Sequence, residues 1–382
     1  MATTEHAMNT RSIPSLDGLR AVSVFVVILA HTRSGLLDRI PFNASFRNGY
    51  QGVAVFFVIS GFLITHLLLQ ELRREHYIHL RRFYLRRTFR IFPPFYVYLI
   101  VIFILSCLHE VHADVRSILV AATYTWNYIK TPDTWVLGHC WSLCIEEQFY
   151  LIWPACVAMF SRRIILGIAA GVILLSPISR VITYLAWPSM RGQTNIMLHT
   201  RLDSIMMGCL LSLIVDMGIW QRYKKFVLHP ASPALALLFL AAVDTPAEHR
   251  WGKFYAPTIG FSLVNLAVAV ILMYVVFKCE SIPGKIMNMK VMQHFGKLSY
   301  GLYLWQQLFT GPETRFFPAD VLRIIACAEL SYLIVERPSF RIRDWALRRL
   351  PSPKVRGDRE AVTVAARAGS GSIPTPRVNN PY

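Results

Sequence analysis

Apolar runs of about twenty residues alternate along the chain with short clusters of Lys, Arg, Asp and Glu, a pattern that predicts a bundle of membrane-crossing helices. Ten spans can be read, at about 18–36, 52–70, 91–109, 139–160, 164–186, 197–217, 230–244, 257–277, 295–311 and 317–335. The first follows Leu16-Asp17-Gly18-Leu19-Arg20-Ala21, where Asp17 is placed to cap the turn behind it, and runs from Val22 to His31. The second carries Gly52, Ser60 and Gly61, small residues that let helices approach closely. The third is expected to begin at Pro93-Pro94, because a first turn tolerates proline. The apolar piece 117–129 is too short to cross.

Charge placement orients the spans. One set of loops carries Arg73, Arg74, Arg81, Arg82, Arg86, Arg87 and Arg90, then Arg162-Arg163, the cluster at 222–225, the lysines of 278–297 and the arginines of 337–349. The other set carries two or three cations per loop, such as Arg39 with Arg47 or Arg250 with Lys253. The positive-inside rule then predicts an even number of spans with both termini in the cytosol. The fold class is therefore all-α: a polytopic membrane protein of about ten transmembrane helices in one bundle. Residues 1–14 form a cytosolic N-terminal segment, 15–345 the membrane domain, and 346–382 a basic cytosolic tail whose Pro, Gly, Ser and Arg content predicts disorder.

The composition agrees, with 54% hydrophobic residues and a net charge of +18. That charge lies in the loops, so its partners are membrane lipids and an anionic cofactor, not nucleic acid. Seven cysteines are scattered and odd in number, which reads as packing rather than a disulfide framework or zinc site. The first apolar run holds Arg20 and His31 and lacks a small-residue cleavage site, so it is expected to stay as an anchor.

Ionisable residues inside apolar runs are the candidates for chemistry. Arg20 and His31 lie eleven positions apart, about 16 Å of helix rise, and so share a face at two depths. They are either a functional pair or a snorkelling flank with a satisfied core histidine. Arg87 and Arg90, three apart, form a fork suited to phosphate oxygens. Glu146 and Glu147 sit inside an apolar helix at roughly the depth expected of His31. One of them either orients His31 as a general base or pairs with Arg180 or Arg201 as interior glue. His199 and Asp203 share a face at i, i+4, but a lone pair is a poor metal site, and no metal is expected. The pairs His76/His79 and His109/His112 read as loop residues, and neither Ser60 nor Ser142 has a neighbouring His to make it a nucleophile.

With these residues in place, the chain resembles the acyltransferase-3 family of integral membrane acyltransferases, which includes O-antigen and polysaccharide O-acetyltransferases. The matching stretches are Ser15 to Ala21 with the Arg20–His31 spacing, Gly52 to Ile64, Phe83 to Ile91, Trp141-Ser142-Leu143 with Glu146 to Tyr150, Arg201-Leu202-Asp203, Leu298-Ser299-Tyr300-Gly301-Leu302-Tyr303-Leu304, and Glu336-Arg337-Pro338. The resemblance implies a multi-pass protein of the cell inner membrane that moves an acyl group, acetyl above all, from cytosolic acyl-CoA to a hydroxyl. The implied acceptor is a cell-surface glycan or glycolipid; a small hydroxylated metabolite, or a transporter without chemistry, are the alternatives. It implies that His31 is the essential histidine, that Arg20, Arg87 and Arg90 face CoA, and that Glu146 is the acidic residue of the Trp-Ser-Leu motif. Arg201, Asp203, Ser299, Tyr300 and Tyr303 become substrate-facing or structural polar residues. Many relatives carry a His just after the Ser-Tyr motif, where this chain reads Trp305-Gln306-Gln307, so that role does not transfer.

Overall fold

Helices account for the regular structure, and no strand occurs among the described residues of the computed structural model, which are 13–32, 49–132, 134–311 and 317–350. The first twelve residues, Arg39, Arg47, the tail beyond 350 and the Lys253 side chain lie outside them. In chain order the helices are α1 (Pro14–His31), α2 (Gly49–Glu75), α3 (Leu80–Cys107), α4 (Val115–Ala122), α5 (Cys140–Met159), α6 (Arg162–Ala186) and α7 (Leu198–Asp216). There follow α8 (Trp220–Val227), α9 (Ala231–Phe239), α10 (Thr245–Tyr255), α11 (Phe261–Phe277), α12 (Ile282–Met287), α13 (Lys290–Phe309), α14 (Phe317–Ser331) and α15 (Arg337–Arg349).

Where the sequence predicts ten spans, six helical segments are long and apolar enough to cross a membrane: α1, α2, α3, α6, Pro188–Asp216 and Ala256–Phe277. A seventh is reached if α8 and the segment Ala231–Gly252, bent by 76° at their junction, make one span. The remaining expected spans are helical too, but α5 carries Glu146, Glu147 and Gln148, α13 carries Gln306 and Gln307, and α14 is 15 residues long. The outer surface is apolar where these helices face away from the core: Leu151 is 68%, Leu174 71% and Leu185 66% exposed. Water would not tolerate such a belt, whereas lipid does.

Two expected helix starts move. Asp17 does not cap α1; the helix begins at Pro14, and Asp17 sits one turn inside, paired with Arg20 at 3.0 Å. The third span begins not at Pro93-Pro94 but at Leu80, so the arginines of 81–90 are helical and both prolines are interior. Proline at 93 leaves the carbonyl of Phe89 without its helical donor. Ser339 on α15 donates to that carbonyl at 2.6 Å, which removes the main penalty of continuing the helix.

Among the described residues α2 runs through the middle of the bundle, touching α1, α5, α7 and α11. Its seam with α7 is made by glycine on both sides. A methyl group at Gly61 would stand 1.9 Å from the Ile205 carbonyl oxygen, and one at Gly208 2.0 Å from that of Val58. Close backbone approach of this kind supplies the contact area that lipid-solvated helices need to associate. A buried polar knot ties the adjoining helices. Arg180 on α6, fully buried, pairs with Asp203 on α7 at 3.0 Å and donates to the carbonyls of Thr200 at 2.7 Å and Pro257 at 2.6 Å.

Gly61→Ala is expected to force the α2–α7 seam apart, lowering stability by about 1–3 kcal/mol or more, seen as a lower melting temperature in detergent; an unchanged melting temperature contradicts the seam. Asp203→Ala is expected to cost about 3–5 kcal/mol by stranding the Arg180 charge. Arg180→Met in the same chain should restore much of the loss, which a double-mutant cycle on melting temperature would show.

Candidate active site

Many of the polar side chains anticipated inside the bundle fall into two cavities that share lining residues. The first, about 80 Å³, is lined by Arg20 from α1, Ser60 from α2, Arg87 and Arg90 from α3, Glu146 and Glu147 from α5, and Ser299, Tyr300 and Tyr303 from α13. The second, about 420 Å³, is lined by His31 at the end of α1, Tyr50 and Val53 on α2, Trp135, His139, Trp141, and Tyr303 and Gln307 on α13. Val53 and Tyr303 line both cavities and form the partition. The Tyr303 hydroxyl is held there by Ser142 Oγ at 2.5 Å and by donation to the His139 carbonyl at 3.3 Å.

Arginine dominates the first cavity. The spacing of Arg87 and Arg90 brings both into it, and Arg20 joins them from α1. Three guanidiniums face two lining carboxylates, and two further acids balance them from just outside the lining: Asp17 pairs with Arg20 at 3.0 Å, and Glu336 of the closing Glu-Arg-Pro stretch acts on Arg90. The Arg87 guanidinium lies over the Tyr150 ring, 3.7 Å from its centroid, and its Nε has no partner among the described residues. Ser60 donates to Glu146 at 2.6 Å, while Glu147 Oε1 is buried without a partner. Buried charged groups with unfilled hydrogen-bonding positions are uncommon outside binding sites.

His31 is oriented differently from expectation. Neither glutamate reaches it; both lie in the arginine cavity, nearer the depth of Arg20. Its Nδ1 is instead 3.1 Å from Gln306 Oε1; with that amide oxygen as the acceptor, the ring donates from Nδ1 and keeps a lone pair on Nε2. Trp135 meets the ring edge-on at 5.6 Å between centroids, and the Trp135 indole donates to the Thr310 carbonyl. Gln306, in the stretch Trp305-Gln306-Gln307, is thus the side chain that orients His31.

Other anticipated contacts divide. Neither Glu146 nor Glu147 pairs with Arg180 or Arg201; Asp203 takes Arg180, and Arg201 is buried over the Phe261 ring at 3.8 Å with no hydrogen-bond partner among the described residues. Neither Arg201 nor Asp203 lines either cavity. His199 does not meet Asp203, and bonds Tyr128 and Thr183 at 3.1 Å each. His79 joins Glu71 and Glu75 in the one group among the described residues with metal-like spacing, and it is closed by a 2.6 Å contact between His79 and Glu75.

Three residues escape the sequence pattern. His139 stands next to the Trp-Ser-Leu stretch, at the N-cap of α5, where a polar residue draws no notice. Gln307 accepts from its backbone N–H at 2.7 Å. Asp244, in the wide turn that ends α9, is fully buried and accepts from Tyr50, from Gln51 at 2.7 Å and from Tyr255 at 3.0 Å, anchoring a wall of the histidine cavity.

Comparison with known proteins gives this arrangement a context. The acyltransferase domain model of the acyltransferase-3 family matches residues 13–333. The chain is similar to the peptidoglycan O-acetyltransferase OatA of Listeria monocytogenes, with 29% identity over 367 residues, 88% of this chain and 56% of that protein. It is also similar to the O-acetyltransferase OatA of Staphylococcus aureus, with 29% identity over 374 residues, 87% of this chain and 58% of that protein. It spans somewhat over half the length of these relatives, and no solved structure matches it. The matched stretch contains the residues of both cavities and all six long apolar segments, and the chain belongs to the acyltransferase-3 family of multi-pass membrane proteins.

Proposed function

We propose that the protein is an O-acetyltransferase that takes acetyl groups from cytosolic acetyl-CoA and places them on hydroxyls of a cell-envelope glycan. The name of the Listeria relative favours peptidoglycan as that glycan. In this reading the bundle sits in the cytoplasmic membrane with about ten crossings, both termini cytosolic, and the arginine cavity towards the cytosol. The observation that carries it is the geometry of α1: one helix delivers Arg20 to an arginine-rich cavity and His31 to its neighbour, and Val53 and Tyr303 line both.

The arginine cavity suits the anionic donor. Arg87 and Arg90 would hold the phosphates of CoA, and the unpartnered Nε of Arg87 is a donor waiting for an acceptor oxygen. Glu146 and Glu147 offset part of the positive charge and keep the guanidiniums apart. Arg20, braced by Asp17, sets the inner end of the cavity.

Past the partition, His31 performs the chemistry. With Nδ1–H committed to Gln306, Nε2 takes the proton of the acceptor hydroxyl as its oxygen bonds to the acyl carbon. The carbon–sulfur bond breaks, and the same imidazole returns the proton to the departing sulfur, so the ring ends as it began. The carboxylates have no direct part in this step, because they lie on the other side of Tyr303.

His31→Ala should lower acetyl transfer by about 100-fold or more while acetyl-CoA binding persists. Arg90→Ala should raise the half-saturating acetyl-CoA concentration by about 10-fold or more. Both are read from CoA release by the purified protein and from base-labile acetate on envelope glycans of cells expressing each variant. Wild-type acetate levels in His31→Ala cells with normal protein abundance would remove the mechanism, and a wild type that never releases CoA would favour transport without chemistry.

A further inference from the structure

The histidine cavity holds a second imidazole that the reaction above does not use. His139 is 2% exposed and forms part of the same wall as His31. Gln307 fixes its tautomer. Gln307 Oε1 accepts the His139 backbone N–H at 2.7 Å, which identifies it as the oxygen, and the His139 Nδ1 lies 2.5 Å from that same oxygen. Nδ1 therefore carries the hydrogen, and Nε2 is left with a bare lone pair. No donor among the described residues reaches it. The two nearest hydroxyls are already committed: Tyr98 donates to the Val136 carbonyl at 2.5 Å, and Tyr303 is tied to Ser142. Their rings pack edge-on against His139 at 5.5 Å and leave its acceptor nitrogen unanswered. A buried acceptor with no donor is rare unless a bound molecule completes it.

His31 repeats the arrangement one residue earlier along α13. Its Nδ1 faces Gln306 Oε1, and its Nε2 is likewise free to accept. Two neutral imidazoles, each locked by one of two consecutive glutamines, thus stand in one cavity. At about 420 Å³ the cavity falls in the size range of small-molecule sites. The indoles of Trp135 and Trp141 and the ring of Tyr50 supply flat apolar surface beside these acceptors. Several fixed acceptors among aromatic walls match a ligand that offers several hydroxyl donors from a ring with apolar faces, which is the chemistry of a sugar.

We propose that the histidine cavity is the acceptor subsite and that His139 fixes the acceptor in it. Its Nε2, closed off from the cavity space in this structure, is uncovered as the sugar ring enters and receives a hydrogen bond from one hydroxyl, while a neighbouring hydroxyl is held against His31 Nε2 for acylation. This rests on the acetyl transfer proposed above and deepens it: His31 decides whether transfer occurs, and His139 decides which ring enters and how it turns.

The test uses the full chain in lipid nanodiscs, acetyl-CoA as donor, and envelope glycan stripped of its esters by mild base as a titrated acceptor. His139→Asn keeps an N–H for Gln307 and deletes the Nε2 acceptor. The half-saturating amount of glycan should rise at least tenfold, with at most a threefold loss in maximal rate and with acetyl-CoA binding as in wild type. His139→Gln, which sets an amide oxygen near the lost nitrogen, should return half-saturation to within threefold of wild type. Half-saturation within twofold of wild type in His139→Asn would overturn the inference. So would a parallel fall of maximal rate and acetyl-CoA binding in both variants, the mark of a purely structural ring. A wild-type protein that transfers no acetyl at any glycan amount would defeat the function itself, and the inference with it.

Discussion

The seam between α1 and α13 is the constraint on which both cavities depend. The two helices start together, where a methyl group at Gly296 would stand 2.0 Å from the Asp17 carbonyl oxygen and Ser15 donates to Asn288 at 3.1 Å. They end together, where His31 meets Gln306. Between these points the backbones run side by side, so each residue of α13 is matched in depth to one of α1. Ser299, Tyr300 and Tyr303 fall level with the arginines, and Gln306 and Gln307 with the histidines. Loosening the glycine end would shift this register and uncouple His31 from its orienting amide.

Burying charge in an apolar bundle is expensive, and the protein meets that cost in two ways. Arg180 is saturated by a carboxylate and backbone carbonyls, which makes it a structural fastening. The arginine cavity is left incomplete: Arg87 Nε and Glu147 Oε1 stay without a hydrogen-bond partner among the described residues. The contrast separates the cations that hold helices together from those that are available to a ligand. Arg201, stacked on Phe261 outside both cavities with no hydrogen-bond partner among the described residues, falls into neither group.

Much of this was legible in the sequence, because a charge inside an apolar run is conspicuous. Arg20, His31 and the two glutamates announce themselves in this way, Arg87 and Arg90 by their spacing, and all of them line the cavities. Their relative depth was not legible. Sequence spacing fixes the offset between two residues on one helix, but not the sliding of one helix along another, so it cannot tell whether Glu146 and Glu147 stand level with His31 or, as in the structure, with Arg20 and Arg87. Neutral polar residues left no trace either. Gln306 contacts a ring 275 positions away, and His139 and Asp244 sit at helix ends, where polar residues are ordinary. The start of α3 was misplaced for a related reason: the donor that makes Pro93 tolerable comes from Ser339, 250 residues away from the Phe89 carbonyl it serves.

The account's central claim is that a donor anchored on the arginines reaches past Val53 and Tyr303 to His31. A structure of the protein with a non-hydrolysable acetyl-CoA analogue tests this directly. The account predicts pyrophosphate density on Arg87 and Arg90, a displaced Tyr303 ring, and the acetyl carbon within contact distance of His31 Nε2. An acyl end that stays among the glutamates with Tyr303 in place, or a nucleotide bound away from the arginines, would contradict it.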